Sequence, residues 1–253
     1  MNKIILDDKI NLVEEKTFRI KKKKDQIIIN IIEDTDLLLE IACETISILF
    51  EIDKNKILKI KNISKLQNRN TIIEYHLKQD SVLHLNEFLL CNSVEENHHV
   101  YLEEKNASAN IMVRSIATNE ENYHILVDHL ASDTKSNIEA KAVNIEQGKI
   151  HFEIVGNVPK EIKNCEVNQD TRIYTFNQNK CTINPVLLIE NNDIVANHAA
   201  FIGRFDDEVL FYLMSRGISK KECIHLLIKG FLNIDNDEEI LSIIHKYWRW
   251  LNA

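Results

Sequence analysis

The sequence predicts a mainly β chain that ends in a small group of helices. Three observations lead there. Residues 26–200 break into short runs whose apolar positions recur at every second residue, helix-length amphipathic patterns are nearly absent from that stretch, and the spacing turns helical after Asp206. In Thr45-Ile46-Ser47-Ile48-Leu49-Phe50-Glu51-Ile52 the apolar side chains take alternate places over most of the run, which buries one face and leaves the other wet. Alternating βαβ folds are disfavoured because no crossover helices can be read between the strands. Asn-Gly and Asp-Gly turn signals are scarce, which disfavours hairpin-rich folds. Sandwich, barrel and parallel β-helix stay open, and no fixed repeat period selects the last of them.

Taken in order, strands are predicted at 26–32, 37–41, 45–52, 71–77, 81–85, 99–103, 108–114, 124–130, 137–144, 149–155, 171–176 and 185–190. The basic run Lys21 to Lys24, followed by Asp25, reads as a solvated turn. Asp206 or Asp207 caps a helix carrying Val209, Leu210, Tyr212, Leu213 and Met214, which Gly217 ends in the left-handed conformation. Ser219 and Glu222 have capping-box spacing and open a second helix with Cys223, Ile224, Leu226, Leu227 and Ile228, stopping near Gly230. Asp235 to Glu238 opens a third, with Ile240, Leu241, Ile243, Ile244, Tyr247, Trp248 and Leu251. The chain thus divides into a β core over residues 1–200 and a helical domain over 201–253.

Composition narrows the function classes. The 253 residues, 44% hydrophobic, suffice for a sizeable core in one large domain or one domain with an appendage. The formal net charge is -8 and no basic stripe is visible, so nucleic acid is not an expected partner. No apolar run approaches the length of a membrane span, and MNKIILDDKINLVEEKT lacks a leader's apolar stretch, so a cytoplasmic chain off the membrane is expected. The five cysteines (Cys43, Cys91, Cys165, Cys181 and Cys223) include no CxxC pair, which argues against a disulfide framework or a zinc site. Cys43, Cys91, Cys181 and Cys223 read as packing residues. Abundant Asn, Ile and Lys read as the bias of an AT-rich genome, so the Asn residues are not taken as ladders.

His198, among small residues before the first helix, is the main candidate for a metal ligand, since a neutral imidazole binds iron or zinc. The alternative is a histidine hydrogen-bonded at a strand end. Cys165 is a weaker candidate as a thiolate, set against its reading as a buried small hydrophobe. His98-His99 reads as a loop, and adjacent residues on a strand would face opposite ways in any case. His76, His84, His124, His129, His151, His225 and His245 share no site-building spacing, and the carboxylates are too scattered to select an acid–base pair. The Tyr247-Trp248-Arg249-Trp250 end reads as an interface anchor or as a cap over the helices.

Asn197-His198-Ala199-Ala200-Phe201-Ile202-Gly203, then Asp206-Asp207-Glu208-Val209-Leu210-Phe211-Tyr212-Leu213 and Ser215-Arg216-Gly217-Ile218, resembles the C-terminal signature of the SufB/SufD family of iron–sulfur cluster assembly proteins. Asp128-His129, Ser136-Asn137-Ile138, Lys149-Ile150-His151-Phe152, Gly156, Asn168-Gln169 and Pro185-Val186-Leu187-Leu188-Ile189 follow that family's order, as does Gly230-Phe231 downstream. The resemblance spans roughly residues 125–235; the first 120 match only in general character, and the family's N-terminal helical region is not recognised. In SufB the histidine precedes Glu and in SufD usually Gly; here Ala199 follows. SufB also carries Cys after the upstream Gln, where this chain has Asp170 after Gln169. Both departures point toward SufD.

The resemblance implies a right-handed parallel β-helix followed by a helical domain that docks the ABC-type ATPase SufC. It implies pairing with a SufB-like subunit, or self-pairing, near the cluster-building surface. Phe211, Tyr212, Arg216, Gly217 and Ile218 would lie toward the ATPase. The chain has no GxxxxGK[ST] motif, so ATP would act only through that partner. The implied protein is not an enzyme by itself, holds no permanent cofactor, and meets iron or an iron–sulfur cluster transiently at His198. The alternatives are a self-sufficient homodimeric scaffold using Cys165 with His198, and a β-helical interaction module without a redox role.

Overall fold

The computed structural model describes residues 2–6, 13–64, 68–176, 180–234 and 240–241. Among them an 8-stranded sheet, sheet I, runs β1 (Asn2–Leu6), β5 (Thr35–Ile41), β7 (Ile57–Ser64), β9 (Val82–Leu89), β11 (Ser108–Ala117), β13 (Lys135–Asn144), β15 (Cys165–Thr175) and β17 (Ile194–Gly203). A 9-stranded sheet, sheet II, runs β16 (Thr182–Ile189), β14 (Lys149–Val158), β12 (Glu120–His129), β10 (Ser93–Leu102), β8 (Asn68–Leu77), β6 (Thr45–Ile52), β4 (Gln26–Ile31), β3 (Phe18–Lys23) and β2 (Val13–Glu14). From β4 onward, successive strands alternate between the sheets and every ladder is parallel, which makes a parallel β-solenoid of about six turns. The β-helix is thus selected over the sandwich and the barrel.

The period that sequence reading does not find is real but drifts. Side chains stacked on neighbouring coils are 25 residues apart at Asp53 and Lys78, and 31 apart at Asn144 and Thr175. A coil that lengthens along the chain leaves no constant repeat to detect. The left-handed positions of the coil corners are not glycines: Asn55, Asp80, Asn106, Asp133 and Asn164 all have positive φ, which Asn and Asp tolerate better than most residues. These corners stack, with Asn106 Nδ2 donating to Asp80 Oδ1 at 2.7 Å and Asn164 Nδ2 to Asp133 Oδ1 at 3.1 Å. Part of the Asn content is therefore a corner ladder and not only compositional bias.

Inside, alternate residues bury against one another: β10 shows Val94, Glu96, His98, Val100 and Leu102 inward, and β6 shows Ile46, Ile48, Phe50 and Ile52. Each fully buried aliphatic side chain contributes about 1.5–3 kcal/mol. The basic run is solvated, but only its end is a turn; the rest is strand. Lys21, Lys22 and Lys23 lie on β3, antiparallel to β4, and Lys24, with φ 55, supplies the turn with Asp25. Phe18 and Ile20 on the same strand point inward, so the lysines occupy its wet positions. His98-His99 likewise lies within β10 and not in a loop.

The helical end begins where the capping signals place it. Asp206 caps α1 (Asp207–Ser215), and Gly217 follows with φ 85. Ser219 and Glu222 form the reciprocal capping box of α2 (Lys220–Leu232), which runs past Gly230 to a left-handed Asn233. Ile228 and Leu232 of α2, with Ile234 and Ile240, pack on Ile63, Phe88, Ile116 and Val143 of sheet I. That cover explains why β7, β9 and β13 end in consecutive buried residues instead of alternating ones. Arg114 Nη1 reaches the α2 terminus, donating to the carbonyls of Leu232 at 3.2 Å and Asn233 at 3.3 Å. Of the third expected helix only Ile240 and Leu241 are described, both helical; Tyr247, Trp248, Arg249 and Trp250 lie outside the described residues. No described helix is long and apolar enough to cross a membrane.

Candidate functional site

The last coil, β16 and β17, has a coil on one side only. Both strands consist of half-buried or exposed residues, unlike the inward positions of β14, all of which are buried. His198 lies in the middle of β17, which continues to Gly203, and so does not end the coil. It stands opposite Gln169 of β15, whose side chain is buried and inward; His198 therefore has the inward phase but meets solvent. It makes no side-chain hydrogen bond to any described residue, so both ring nitrogens are available.

Its surroundings are small and polar. Gln169 Nε2 donates to the Val186 carbonyl at 3.3 Å, tying sheet I to sheet II, while Gln169 Oε1 is buried without a partner. Gly156 lies behind it: a Cβ there would come 2.7 Å from Val167 Cγ1 and 3.3 Å from Gln169 Nε2, so only glycine fits. Asp170, opposite Ala199, is engaged with Arg172 at 2.8 Å.

Cys165 is elsewhere. It stands opposite Ile194, four residues along the ladder from His198, which at about 3.3 Å per residue is about 13 Å. Its thiol is buried, 3.3 Å from Thr134 Oγ1 and 3.5 Å from the Lys163 carbonyl. Thr134 Oγ1 also meets His129 Nδ1 at 2.8 Å, and Ser136 Oγ meets the other ring nitrogen at 2.9 Å. Burial pushes His129 down to about 4, so it is a neutral packing group. The structure does not bring Cys165 and His198 together.

α1 begins three residues after β17 and buries none of its side chains. Phe211 is 75% exposed and Tyr212 56%. Arg216 lies over the Tyr212 ring at 5.2 Å and donates to its hydroxyl at 3.3 Å, so the two form one surface. Gly217 and Ile218 sit in the turn beyond, bordering a cleft that Leu226 and Lys229 of α2 also line. Leu188, Val195, Phe201 and Ile202 of the last coil are exposed as well, so the exposed large apolar residues concentrate at this end of the molecule.

Sequence reading misses a second polar constellation, inside the solenoid. Arg69 of β8 donates through Nη2 to Glu87 Oε1 and Glu96 Oε1, each at 3.0 Å, and through Nε to Glu96 Oε2. His98 Nε2 lies 3.0 Å from Glu87 Oε2 and 3.4 Å from Glu96 Oε1. Burial pushes His98 down, and the Glu87 and Glu96 carboxylates more than reverse it, leaving it raised. Burial pushes Glu96 up, and the Arg69 guanidinium overcomes that and holds it low. One coil on, Glu121 accepts from Ser115 and Tyr123; burial outweighs both and pushes its carboxyl up to about 7. The signal for this network was present: Glu96 and His98 fall in the apolar phase of Val94, Val100 and Leu102. Outward histidines on sheet II are also partnered, His99 with Asp128 at 2.6 Å, His76 with Glu103 at 2.6 Å and His124 with Glu153 at 3.0 Å.

Comparison with known proteins fits this architecture. Residues 54–231 match the family model described as SUF system FeS cluster assembly, SufBD core domain. The chain is 33% identical over 113 residues to the iron–sulfur cluster assembly protein SufD of Bacillus subtilis, covering 44% of this chain and 26% of that one. It is 37% identical over 136 residues to an iron–sulfur cluster assembly SufBD family protein of Mycobacterium leprae, covering 47% and 32%. To SufB of Bacillus subtilis it is 33% identical over 106 residues, covering 41% and 23%. The matched stretch spans a third or less of each of these relatives.

Proposed function

The chain belongs to the SufBD core family of iron–sulfur cluster assembly, and from that premise we propose that it is a SufD-like, non-ATPase subunit of an assembly complex. One observation carries the reading: an exposed, unpartnered His198 on the edge strand of an open coil, with only Arg204 to Asp206 between that strand and a helix whose aromatic face is bare. An edge strand offers unpaired backbone donors and acceptors to a second sheet. The proposed occupant is the matching edge of a SufB-like subunit, or of a second copy of this chain. Exposed Leu188, Val195 and Ile202 would supply apolar contact there.

In that pairing His198 lies at the joint. Its neutral imidazole would accept iron, or one corner of a cluster, as cargo, with Gln169 beside it on the same inward column. The site holds no permanent cofactor in this reading. Cys165 takes no part, since its thiol is buried and about 13 Å distant along the ladder, which disfavours a scaffold built from Cys165 and His198 alone.

α1 docks a SufC-like ABC ATPase, with Phe211, Tyr212 and Arg216 as anchors and Gly217 and Ile218 in the adjoining turn. ATP acts only through that partner. Movement of α1 would reach β17 through the short link Arg204 to Asp206. The test is tagged co-purification with such an ATPase, comparing the wild-type chain with a Phe211→Ala/Tyr212→Ala variant. Point variants are needed because removing the helical end would bare the sheet I residues that α2 covers. Capture by the wild type and its loss in the variant is expected; equal capture by both would remove α1 from the interface.

A further inference from the structure

We propose that Glu87, Glu96 and His98 form a binding site for one divalent first-row transition-metal ion inside the solenoid, apart from the edge at His198. Much of the rest of this interior is Ile, Leu and Phe, and an aliphatic core would fold as well or better than a buried ion cluster. Two carboxylates, one guanidinium and one imidazole converge with side chains wholly shielded from solvent; Arg69 balances one carboxylate, and the other needs a second positive charge beside His98 Nε2, a proton on the ring or a metal ion in its place.

The spacing suits coordination. One ligand atom from each of Glu87, Glu96 and His98 lies within 4.8 Å of the others, and His98 Nε2 is 3.0 Å from Glu87 Oε2 and 3.4 Å from Glu96 Oε1. Ligands about 2.1 Å from a metal are separated by roughly 3.0 Å at octahedral angles and roughly 3.4 Å at tetrahedral ones. Each ligand is also held from behind. Asn62 and Arg69 donate to Glu87 Oε1, which leaves Oε2 turned to His98. Arg69 donates to both Glu96 oxygens, Nε to Oε2 and Nη2 to Oε1, so Oε1 would serve Arg69 and the ion together, and the Tyr75 hydroxyl lies 3.5 Å from His98 Nδ1.

A second observation shows that protein groups alone do not close this network. Asn62 Oδ1, an acceptor on the residue that donates to Glu87, is buried with no hydrogen-bond partner. A bound ion displaces the proton that His98 Nε2 shares with Glu87, and that proton leaves to solvent. Two carboxylates and one imidazole are a hard-to-borderline donor set, suited to Mn(II), Fe(II) or Zn(II) and lacking the thiolates that favour Cu(I). The site is covered on all sides, so the ion enters as the chain folds.

Zinc is the probe. The full chain is expressed in zinc-supplemented medium, purified without chelator, and its metal content measured beside His198→Ala and His98→Gln variants. About one equivalent in the wild type and in His198→Ala, falling at least tenfold in His98→Gln, is the expected result. No retained zinc in the wild type, or equal retention in His98→Gln, overturns the site. If His98→Gln does not fold, X-ray absorption of the zinc-loaded wild type decides: one imidazole with oxygen ligands supports the proposal, and sulfur ligands or several imidazoles defeat it. The outcome is independent of the partner reading, since neither ATPase capture nor His198 enters the measurement.

Discussion

His98 and His198 sit on the same phase of similar alternating strands, and they have opposite chemistry. His98 lies in a middle coil, buried, between two carboxylates and in reach of Tyr75. His198 lies in the last coil, exposed, beside a buried Gln169 and with no partner of its own. The local strand pattern does not separate them; position along the solenoid does. A coil with neighbours on both sides must satisfy every inward polar group internally. A coil with one neighbour leaves its inward groups to solvent or to another molecule. The two ends of the solenoid differ in the same way. At the N-terminal end, sheet II finishes in an antiparallel ribbon whose β3 carries lysines, a common guard against edge pairing. At the C-terminal end, β16 and β17 expose Leu188, Val195 and Ile202.

Breaking the middle coil has the largest expected effect. Arg69→Met leaves Glu87 and Glu96 buried without their countercharge and should cost about 3–5 kcal/mol, read from the denaturant midpoint. Next is Glu121. Its folded carboxyl is raised to about 7 from 4.5, so the folded state keeps a proton that the unfolded chain has released. Stability from this group is complete below pH 4.5 and is lost as pH rises through about 7, a fall of roughly 3 kcal/mol. Glu121→Gln should flatten that part of the stability–pH curve, and an unchanged slope would mean the carboxyl is already ionised in the fold.

Gly156 borders the last coil, and Gly156→Val should cost about 1–3 kcal/mol through its clash with Val167. Hydrogen exchange should show the loosening confined to β14–β17; protection unchanged there would contradict the tight packing. The smallest stability effect belongs to His198→Ala, within about 0.5 kcal/mol by thermal unfolding, because nothing is bonded to the ring. Its effect should appear instead in cluster assembly with the partners, as a lower yield with ATPase capture intact.

The sequence made some of this legible and hid the rest for physical reasons. Alternation marked most strands, and Asp206, Gly217, Ser219 and Glu222 marked the helix ends, because caps depend on residues close in the chain. The pairing of each strand with the second one along was hidden, since coil length drifts and the corners use Asn and Asp in place of glycine. His98 was hidden by its neighbour His99, which together suggested a loop, although Glu96 already occupied the same apolar phase. The difference between α1 and α2 was hidden too. Both carry enough apolar residues to bury a face, yet α2 covers sheet I and α1 buries none of its residues. Only the register of distant coils decides which of two similar helices, or two similar histidines, is inside.

The most direct test of that difference is diethylpyrocarbonate labelling of the histidines, located by mass spectrometry, with and without a SufB-like partner. Fast modification of His198 in the free chain, none of His98, and protection of His198 in the complex are expected. Modification of His198 at the same rate in a formed complex would contradict the assignment of the open coil as the pairing surface.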